Sequence, residues 1–253
     1  MYLKTLMSFL LAGALGLPLS FRGWADEARV AVASNFSGPL KELVTEFQKG
    51  TGHQVTFVAG ATGKLAAQIS QGAPFDIFLS ADQESPVRLE NEGQVVPGSR
   101  FTYALGRLVL WSSKTGFAKD GSEVLKKGNF SKIAIANPLL APYGRAALEV
   151  FKYLNVESEM KGRTVLGENI AQAFQFVSTG AADLGLVARS QLSGAKMIEG
   201  SAWLVPSEYY SPILQDAALL SRAKDNPAAR GFLIFLKSDR AREKIRAAGY
   251  DVP

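Results

Sequence analysis

Four short stretches place hydrogen-bonding residues at the start of a helical pattern. Ser34 and Asn35 follow the first strand pattern and Thr62 follows the second, while Tyr143 and Ile170 stand at two later helix starts. The first backbone N–H groups of a helix have no partner within it, and the helix dipole adds partial positive charge there. For each turn alone, helix capping is a sufficient explanation. Four such turns around one cleft would form a cage of neutral donors, which suits an oxyanion.

Enzyme chemistry has fewer candidates. His53 is the single histidine and there is no cysteine, so a Ser-His-Asp triad or a histidine metal site would have to use His53. His53 lies in a predicted turn, where a lone histidine is more often a solvated side chain. Residues 60–64 (GATGK) resemble a nucleotide phosphate loop, but only two residues separate the glycines and no Ser or Thr follows the lysine. Asp76 and Asp82 flank a strand and could form an acid/base pair. Such Asp residues are commonly turn formers, so an exported enzyme is the less favoured alternative.

The elements that must position these donors alternate along the chain. Short apolar runs and stretches of helical spacing predict an α/β fold with mostly parallel sheets. The predicted strands are residues 30–33, 55–59, 75–79, 105–112, 132–136, 164–166, 182–188, 202–205 and 213–220. Helical patterns cover residues 40–47, 65–69, 142–154, 170–177, 227–236 and 239–248. Ligands bind beyond the carboxyl ends of parallel strands, where Ser34 and Asn35 are expected.

The alternating pattern occurs twice, which predicts two lobes. The first lobe is expected to contain residues 26–106 and 214–253, and the second residues 107–213. Residues 105–112 and 213–220 are the natural crossing points. A cleft between two such lobes is a common place for a small ligand.

The first 25 residues have the pattern of a secretory signal peptide. Lys4 precedes an uncharged apolar stretch from Leu6 to Leu19, and small residues precede a cut after Ala25. The apolar stretch is shorter than the roughly 20 residues that a membrane-spanning helix needs. We therefore predict export to the periplasm as a soluble protein, cleaved after Ala25.

Charge is nearly balanced along the chain. There are 28 Lys and Arg and 23 Asp and Glu, for a formal net charge of +5. The basic residues form no run and are not interleaved with aromatic residues, so nucleic acid is not an expected partner. The mild positive charge slightly favours the approach of an anion.

Several stretches together resemble the molybdate-binding periplasmic proteins, the substrate-binding components of molybdate ABC importers. In chain order they are VASNF, GATGKLAAQI, FDIFLSAD, GRLVLW, IANPLLAPYG, GEN and STGAADLGLV. The resemblance runs from about Ala28 to Tyr250. It implies a two-lobed type II periplasmic binding-protein fold, each lobe a mixed, mostly parallel sheet flanked by helices. One tetrahedral oxyanion, molybdate or tungstate, is held between the lobes.

The family's ligand positions carry over residue by residue. Its first hydroxyl falls on Ser34, beside an Asn35 that matches one subgroup, and its second hydroxyl falls on Thr62. Backbone donors of the second lobe fall on Tyr143 and Ile170. The resemblance thus implies a cage of hydroxyls, the Asn amide and backbone N–H groups.

One departure concerns the phenol that contacts the ligand. Some family members carry a Tyr after the ADLGLV strand, where this chain has Ala188, and an Ala where this chain has Tyr143. The pattern resembles the subgroup whose phenol comes from the Pro-Tyr-Gly loop. In that case Tyr143 contributes its hydroxyl as well as its N–H.

The resemblance implies a binding protein rather than an enzyme, without catalytic residues or a cofactor. The only metal expected is the molybdenum of the bound oxyanion. The expected partner is an ABC transporter permease in the inner membrane, and the protein is expected to be a monomer. Lys64 and Arg145 follow the turns and are expected to point outward. A binding protein for another oxyanion, such as sulfate, is the main alternative.

Overall fold

The protein's structure is a computed structural model that describes residues 26–193 and 200–253, so the predicted signal peptide lies outside it. In these ranges the strands are β1 (Glu27–Ala33), β2 (Gln54–Gly60), β3 (Ile77–Leu79), β4 (Phe101–Gly106), β5 (Leu108–Ser112), β6 (Ile133–Ala136), β7 (Thr164–Gly167), β8 (Leu184–Ala188), β9 (Ser201–Leu204) and β10 (Ile213–Leu219). The helices are α1 (Ser37–Thr51), α2 (Thr62–Ser70), α3 (Glu84–Asn91), α4 (Ser122–Lys127), α5 (Pro142–Tyr153), α6 (Glu157–Met160), α7 (Ile170–Ser178), α8 (Pro227–Leu236) and α9 (Asp239–Ala247). None of these helices is long and apolar enough to cross a membrane.

The first sheet has the strand order β2-β1-β3-β10-β4. Strand β1 runs parallel to β2 and β3, while β10 runs antiparallel to β3 and β4. Val30 and Val32 of β1 pack into a core with α1 and α8, and Ala31 packs on the opposite face with α2 and α3. Burial on both faces explains why residues 30–33 of this strand form a continuous apolar run.

The second sheet repeats this arrangement with the order β7-β6-β8-β5-β9. Strand β6 runs parallel to β7 and β8, and β5 runs antiparallel to β8 and β9. Its core includes Ile133 and Ile135 of β6, Phe151 of α5 and Val177 of α7. The α/β class predicted from the sequence is therefore confirmed.

The chain passes from the first sheet to the second between Gly106 and Leu108. The predicted single strand over residues 105–112 is wrong, because β4 and β5 belong to different sheets. The break falls at Arg107, whose Nε lies 2.6 Å from Asp251 Oδ2. A continuous apolar run cannot reveal where a buried strand changes sheets. The chain returns at Ile213, which pairs with Gly106.

Helix α3 was not predicted from the sequence. It carries Pro86 in its first turn, and only Leu89 is a buried large apolar side chain. Proline is tolerated in the first turn of a helix because the N–H it lacks has no partner there. The helix instead depends on tertiary packing, since Leu89 joins the core formed with α2.

Candidate oxyanion site

All five residues predicted to bind the anion line one small cavity between the two sheets. Its volume, measured by the positions open to the centre of a water-sized sphere, is about 10 Å³, which is about the space of one water molecule. Its wall is formed by Ala33, Ser34, Asn35, Gly60, Ala61, Thr62, Ala81, Ala141, Pro142, Tyr143, Asn169 and Ile170. None of these side chains carries a charge.

The first-sheet wall follows from strand register. Strands β1 and β2 are parallel, with Ala33 opposite Gly60, so both strands end at the same edge. Ser34 begins a short 3-10 turn directly after β1, and Thr62 is the first residue of α2. Both side chains are buried.

The second-sheet wall is built in the same way. Strands β6 and β7 are parallel, with Ala136 opposite Gly167 at their common end. Tyr143 is the second residue of α5 and Ile170 is the first residue of α7. The Asn169 side chain caps α7 by accepting the N–H groups of the second and third helical residues. The N–H of Ile170 is therefore left for another acceptor.

Backbone N–H groups at these turns are available as donors. Across residues 26–193 and 200–253, the N–H groups of Asn35, Thr62, Tyr143 and Ile170 make no hydrogen bond to the protein. Each stands in the first turn of its helix or 3-10 turn, where no acceptor exists within the element. Two walls thus present N–H groups toward the same cavity.

Three residues of the wall carry hydroxyls whose oxygens accept hydrogen bonds from the protein. Ser34 Oγ accepts a long hydrogen bond of 3.4 Å from the N–H of Ala171, and Thr62 Oγ1 accepts one of 3.2 Å from Ala81. Tyr143 Oη accepts a hydrogen bond of 3.2 Å from the side chain of Gln215. No acceptor for the three hydroxyl protons is present in the part of the chain that the structure describes. Because a protein donor occupies the oxygen, each proton is directed to another acceptor.

The side-chain amide of Asn35 departs from the prediction that it faces the anion. Its Nδ2 donates to Gln215 Oε1 and to Tyr250 Oη, both at 2.9 Å, so both amide protons are used. In this structure neither amide proton is left for an anion in the cavity. The partners lie far along the chain, 180 residues away for Gln215. Asn35 keeps its place in the cavity wall through its backbone N–H.

Lys64 and Arg145 point away from the cavity, as predicted. Lys64 Nζ lies 2.5 Å from Glu168 Oε1, and Arg145 lies 2.9 Å from Asp82 Oδ2. Each pair joins one sheet's unit to the other. A backbone hydrogen bond of 2.9 Å from Gly63 N–H to Leu140 O also crosses here. The two units are thus closed on each other around the cavity.

The phenol of Tyr143 is a neutral donor at ordinary pH. Burial raises the pKa of Tyr143 well above its usual value, and the neighbouring phenols of Tyr250 and Tyr103 add to the shift. The pKa of Tyr103 and that of Tyr250 are raised by burial as well. These hydroxyls therefore keep their protons when an anion is near.

The two carboxylates considered for catalysis have structural partners. Asp76 Oδ2 accepts the N–H of Arg29 at 2.7 Å, and Asp82 Oδ1 accepts that of Ser85 at 3.0 Å. Asp82 also pairs with Arg145. No group of three or more potential metal ligands occurs among the residues described.

Sequence reasoning missed a buried polar network behind the cavity. Its side chains are those of Asn35, Tyr103, Tyr143, Ser190, Gln215 and Tyr250. The one available signal is the polar pair Gln215-Asp216 inside an otherwise apolar strand, β10. That signal marks a buried polar site but does not identify its partners.

The two sheets and the cavity at their strand ends define a two-lobed binding protein. A family model described as bacterial extracellular solute-binding protein matches residues 28–251. This chain belongs to that family.

Individual relatives agree with the resemblance. A protein of Azotobacter vinelandii named molybdate-binding protein ModA is 50% identical over 227 residues, which cover 89% of this chain and 90% of that protein. One of the same name from Rhodobacter capsulatus is 45% identical over 247 residues, covering 98% and 97%. The solved structure of the Azotobacter vinelandii periplasmic molybdate-binding protein has a TM-score of 0.86 at 41% identity, covering 89% of this chain and 99% of that one. The family resemblance and the two-lobed fold predicted from the sequence are confirmed.

Proposed function

We propose that this chain binds molybdate and delivers it to an ABC importer. The observation that carries the proposal is a small cavity lined by buried residues, with no charged side chain in its wall. Within residues 26–193 and 200–253, its hydroxyls and first-turn N–H groups have no protein acceptor. Relatives at 45% and 50% identity that are named for molybdate binding support it. Such relatives are binding proteins, and no chemistry on the ligand is proposed.

The proposed ligand contacts are neutral. The hydroxyls of Ser34, Thr62 and Tyr143 donate to the oxyanion, together with the backbone N–H groups of Asn35 and Ile170. The first-turn positions of these residues add the positive ends of the helix dipoles. Tungstate, which has the same charge and shape, is proposed to bind in the same way.

A cage made only of donors selects for a dianion without protons. Hydrogen phosphate retains a proton that needs an acceptor, and burying that proton unpaired costs about 1–3 kcal/mol. Sulfate has no such proton but is smaller than molybdate, so its rejection must depend on cavity size. Proton count discriminates against phosphate.

The lobes proposed for this binding are residues 26–106 with 214–253, and residues 107–213. The paired strands β4 and β10 meet near the crossing points, with Ile213 opposite Gly106. Opening and closing about these crossings admits and traps the anion. The hydrogen bond of 2.9 Å from Gly63 N–H to Leu140 O joins the two lobes, and we propose that it breaks when they open.

The proposed site of action is the periplasm. Export by the signal peptide, cleavage after Ala25 and action as a monomer complete the proposal. The closed, loaded form docks on a permease in the inner membrane.

Calorimetric titration of residues 26–253 tests the function directly. Molybdate, tungstate, sulfate and phosphate are each titrated into the ligand-free protein. We expect molybdate and tungstate to bind far more tightly than sulfate or phosphate. Tighter binding of sulfate would replace the proposal by the sulfate-binding alternative.

Removal of single hydroxyls tests the proposed contacts. We expect Ser34→Ala or Thr62→Ala to weaken molybdate binding by about 1–3 kcal/mol, since each removes a hydrogen bond to a charged group. The matched control is Thr45→Ala, which removes an exposed hydroxyl on α1. Wild-type affinity in both cavity variants, with unchanged thermal unfolding, would count against this site.

A further inference from the structure

Gln215 is a buried polar residue that does not line the cavity yet contacts two residues that do. It lies within β10 in the first sheet and is fully buried. Its Oε1 accepts hydrogen bonds from Asn35 Nδ2 at 2.9 Å and from Tyr103 Oη at 3.1 Å. Its Nε2 donates to Tyr143 Oη at 3.2 Å. Both ends of the amide are thus engaged.

The hydrogen bonds of the network run in one consistent direction. Nδ2 of Asn35 donates to Gln215, so the atom of Gln215 that faces it is the oxygen. Nε2 of Gln215 then faces Tyr143 and can only donate to the phenol. The phenol oxygen is thereby occupied by a donor, and its proton must find an acceptor elsewhere.

The polypeptide backbone closes another side of the same phenol. A Cβ atom placed on Gly106 would lie 2.2 Å from Tyr143 Oη and 2.7 Å from Gln215 Nε2. Only glycine leaves room for the phenol beside β4. The ring is also nearly fully buried, so the hydroxyl has no space to move away.

We propose that Gln215 is a positioning residue that fixes the Tyr143 hydroxyl as a donor toward the bound oxyanion. Gln215 belongs to the first lobe and Tyr143 to the second, so this donor is set only when the lobes close. Gln215 thereby links ligand selectivity to closure. The inference rests on the proposed function, because it assigns a role to the anion contact made by Tyr143.

The test reverses the polarity of one hydrogen bond. In Gln215→Glu, an ionised carboxylate accepts the Tyr143 proton and turns it away from the anion. We expect molybdate affinity to fall at least about 100-fold at about pH 8.5. When the introduced carboxyl group is protonated it can donate to the phenol, so affinity is expected to recover as the pH falls toward about 6.5. Wild-type affinity should stay flat over the same range.

Other titratable groups near Gln215 do not produce this recovery. The phenols of Tyr103, Tyr143 and Tyr250 face it from β4, α5 and the C-terminal segment, and burial raises the pKa of each. Asp216 is next to Gln215 on β10, with its Oδ2 2.7 Å from Arg100. All are present in wild type, so a pH dependence confined to the variant reports the new carboxyl group.

A second variant avoids burying a charge. Gln215→Leu removes the hydrogen-bond donor to Tyr143 without adding a charge. We expect about a 10-fold loss of molybdate affinity in the wild-type background. In the Tyr143→Phe background the same change should cost less than about 2-fold, because the hydroxyl it positions is gone. Equal losses in both backgrounds, or a flat pH profile in a folded Gln215→Glu variant, would overturn the proposal.

Gly106→Ala gives an independent measurement of the same contact. Its Cβ displaces the phenol, so we expect a loss of affinity comparable to that of Tyr143→Phe. The matched control is Gly50→Ala, where the added Cβ meets nothing within 4 Å. An unchanged affinity in Gly106→Ala would contradict the positioning role. If wild type binds no molybdate, the proposed function fails; if it binds and the variants match it, only this inference fails.

Discussion

The cavity wall and the rim of the cleft handle charge in opposite ways. The wall presents neutral N–H and O–H groups and contains no charged side chain. The rim carries ion pairs between the lobes, Lys64 with Glu168 and Arg145 with Asp82. Lys64, Glu168 and Arg145 are each about half exposed or somewhat less. The cations closest in sequence to the wall are therefore neutralised outside it.

This contrast shows how a site can bind an anion and remain selective. A buried cation would attract any anion with little regard for shape, whereas fixed dipoles stabilise charge only at particular positions. Exposed ion pairs contribute little to stability, with typical values of about 0–1 kcal/mol. We therefore expect the cavity wall to determine which anion binds. The ion pairs of the rim should change the closure of the lobes only slightly.

The largest effect should follow from placing a negative charge in the wall. In Thr62→Asp a carboxylate replaces a donor beside the dianion, and we expect molybdate affinity to fall about 1000-fold or more, roughly 4 kcal/mol. Asp is favourable at the first residue of a helix, so α2 should remain intact. Calorimetric titration and thermal unfolding measure the two quantities.

The matched control is Ser122→Asp. Ser122 is the first residue of α4 and is not part of the cavity wall. Its affinity should equal that of wild type. If Thr62→Asp retained the affinity of wild type, the anion would have to bind outside this cavity, and the contrast between wall and rim would not hold.

An intermediate effect is expected from the buried phenols at alkaline pH. The pKa of Tyr143 is raised in the folded protein, so its contribution is fully present below about pH 10 and is lost as the pH rises from there toward the folded pKa. Tyr143→Phe should therefore reduce the loss of unfolding free energy above pH 10 by up to about 1.4 kcal/mol per pH unit. Urea unfolding at a series of alkaline pH values measures this slope.

Tyr153→Phe is the control for that experiment, because Tyr153 is 52% exposed. Its slope should match that of wild type. Identical alkaline slopes in both variants would show that the Tyr143 phenol is not buried in the way described.

The smallest effect is expected at the rim. In a double-mutant cycle of Lys64→Met and Glu168→Gln, we expect a coupling energy below about 1 kcal/mol and less than about a 5-fold change in affinity. Added salt should reduce the coupling further. A coupling energy of several kcal/mol would mean that the ion pairs of the rim control closure of the lobes, which contradicts a minor role for the rim.

Local patterns were enough to predict part of the site. Ser34, Thr62 and Ile170 follow strand-to-helix transitions, and register places them at common sheet edges. The phenol of Tyr143 came from the family resemblance, since a Pro-Tyr-Gly helix start alone does not indicate where the ring points. The amide partners of Asn35, Gln215 and Tyr250, could not be predicted because they are set by tertiary structure.

The α/β class of the fold could be predicted from the sequence, but the order of the strands within each sheet could not. Apolar periodicity indicated most strands, yet it gave no sign that residues 105–112 divide between two sheets. Pairing depends on which strands meet after folding, and β10 pairs with β4 across a separation of more than 100 residues. Such long-range pairing leaves only weak traces in local sequence.

The position of β10 has a consequence for the order in which the protein is assembled. Strand β10 lies between β3 and β4 in the first sheet, although the whole second sheet precedes it in the chain. During synthesis, β4 has no neighbour in its sheet until residues 213–219 leave the ribosome. The second lobe, whose strands are contiguous in sequence, is by then complete. The lobe that begins first is thus the one that finishes last, and a nascent chain truncated before β10 leaves β3 with an exposed edge.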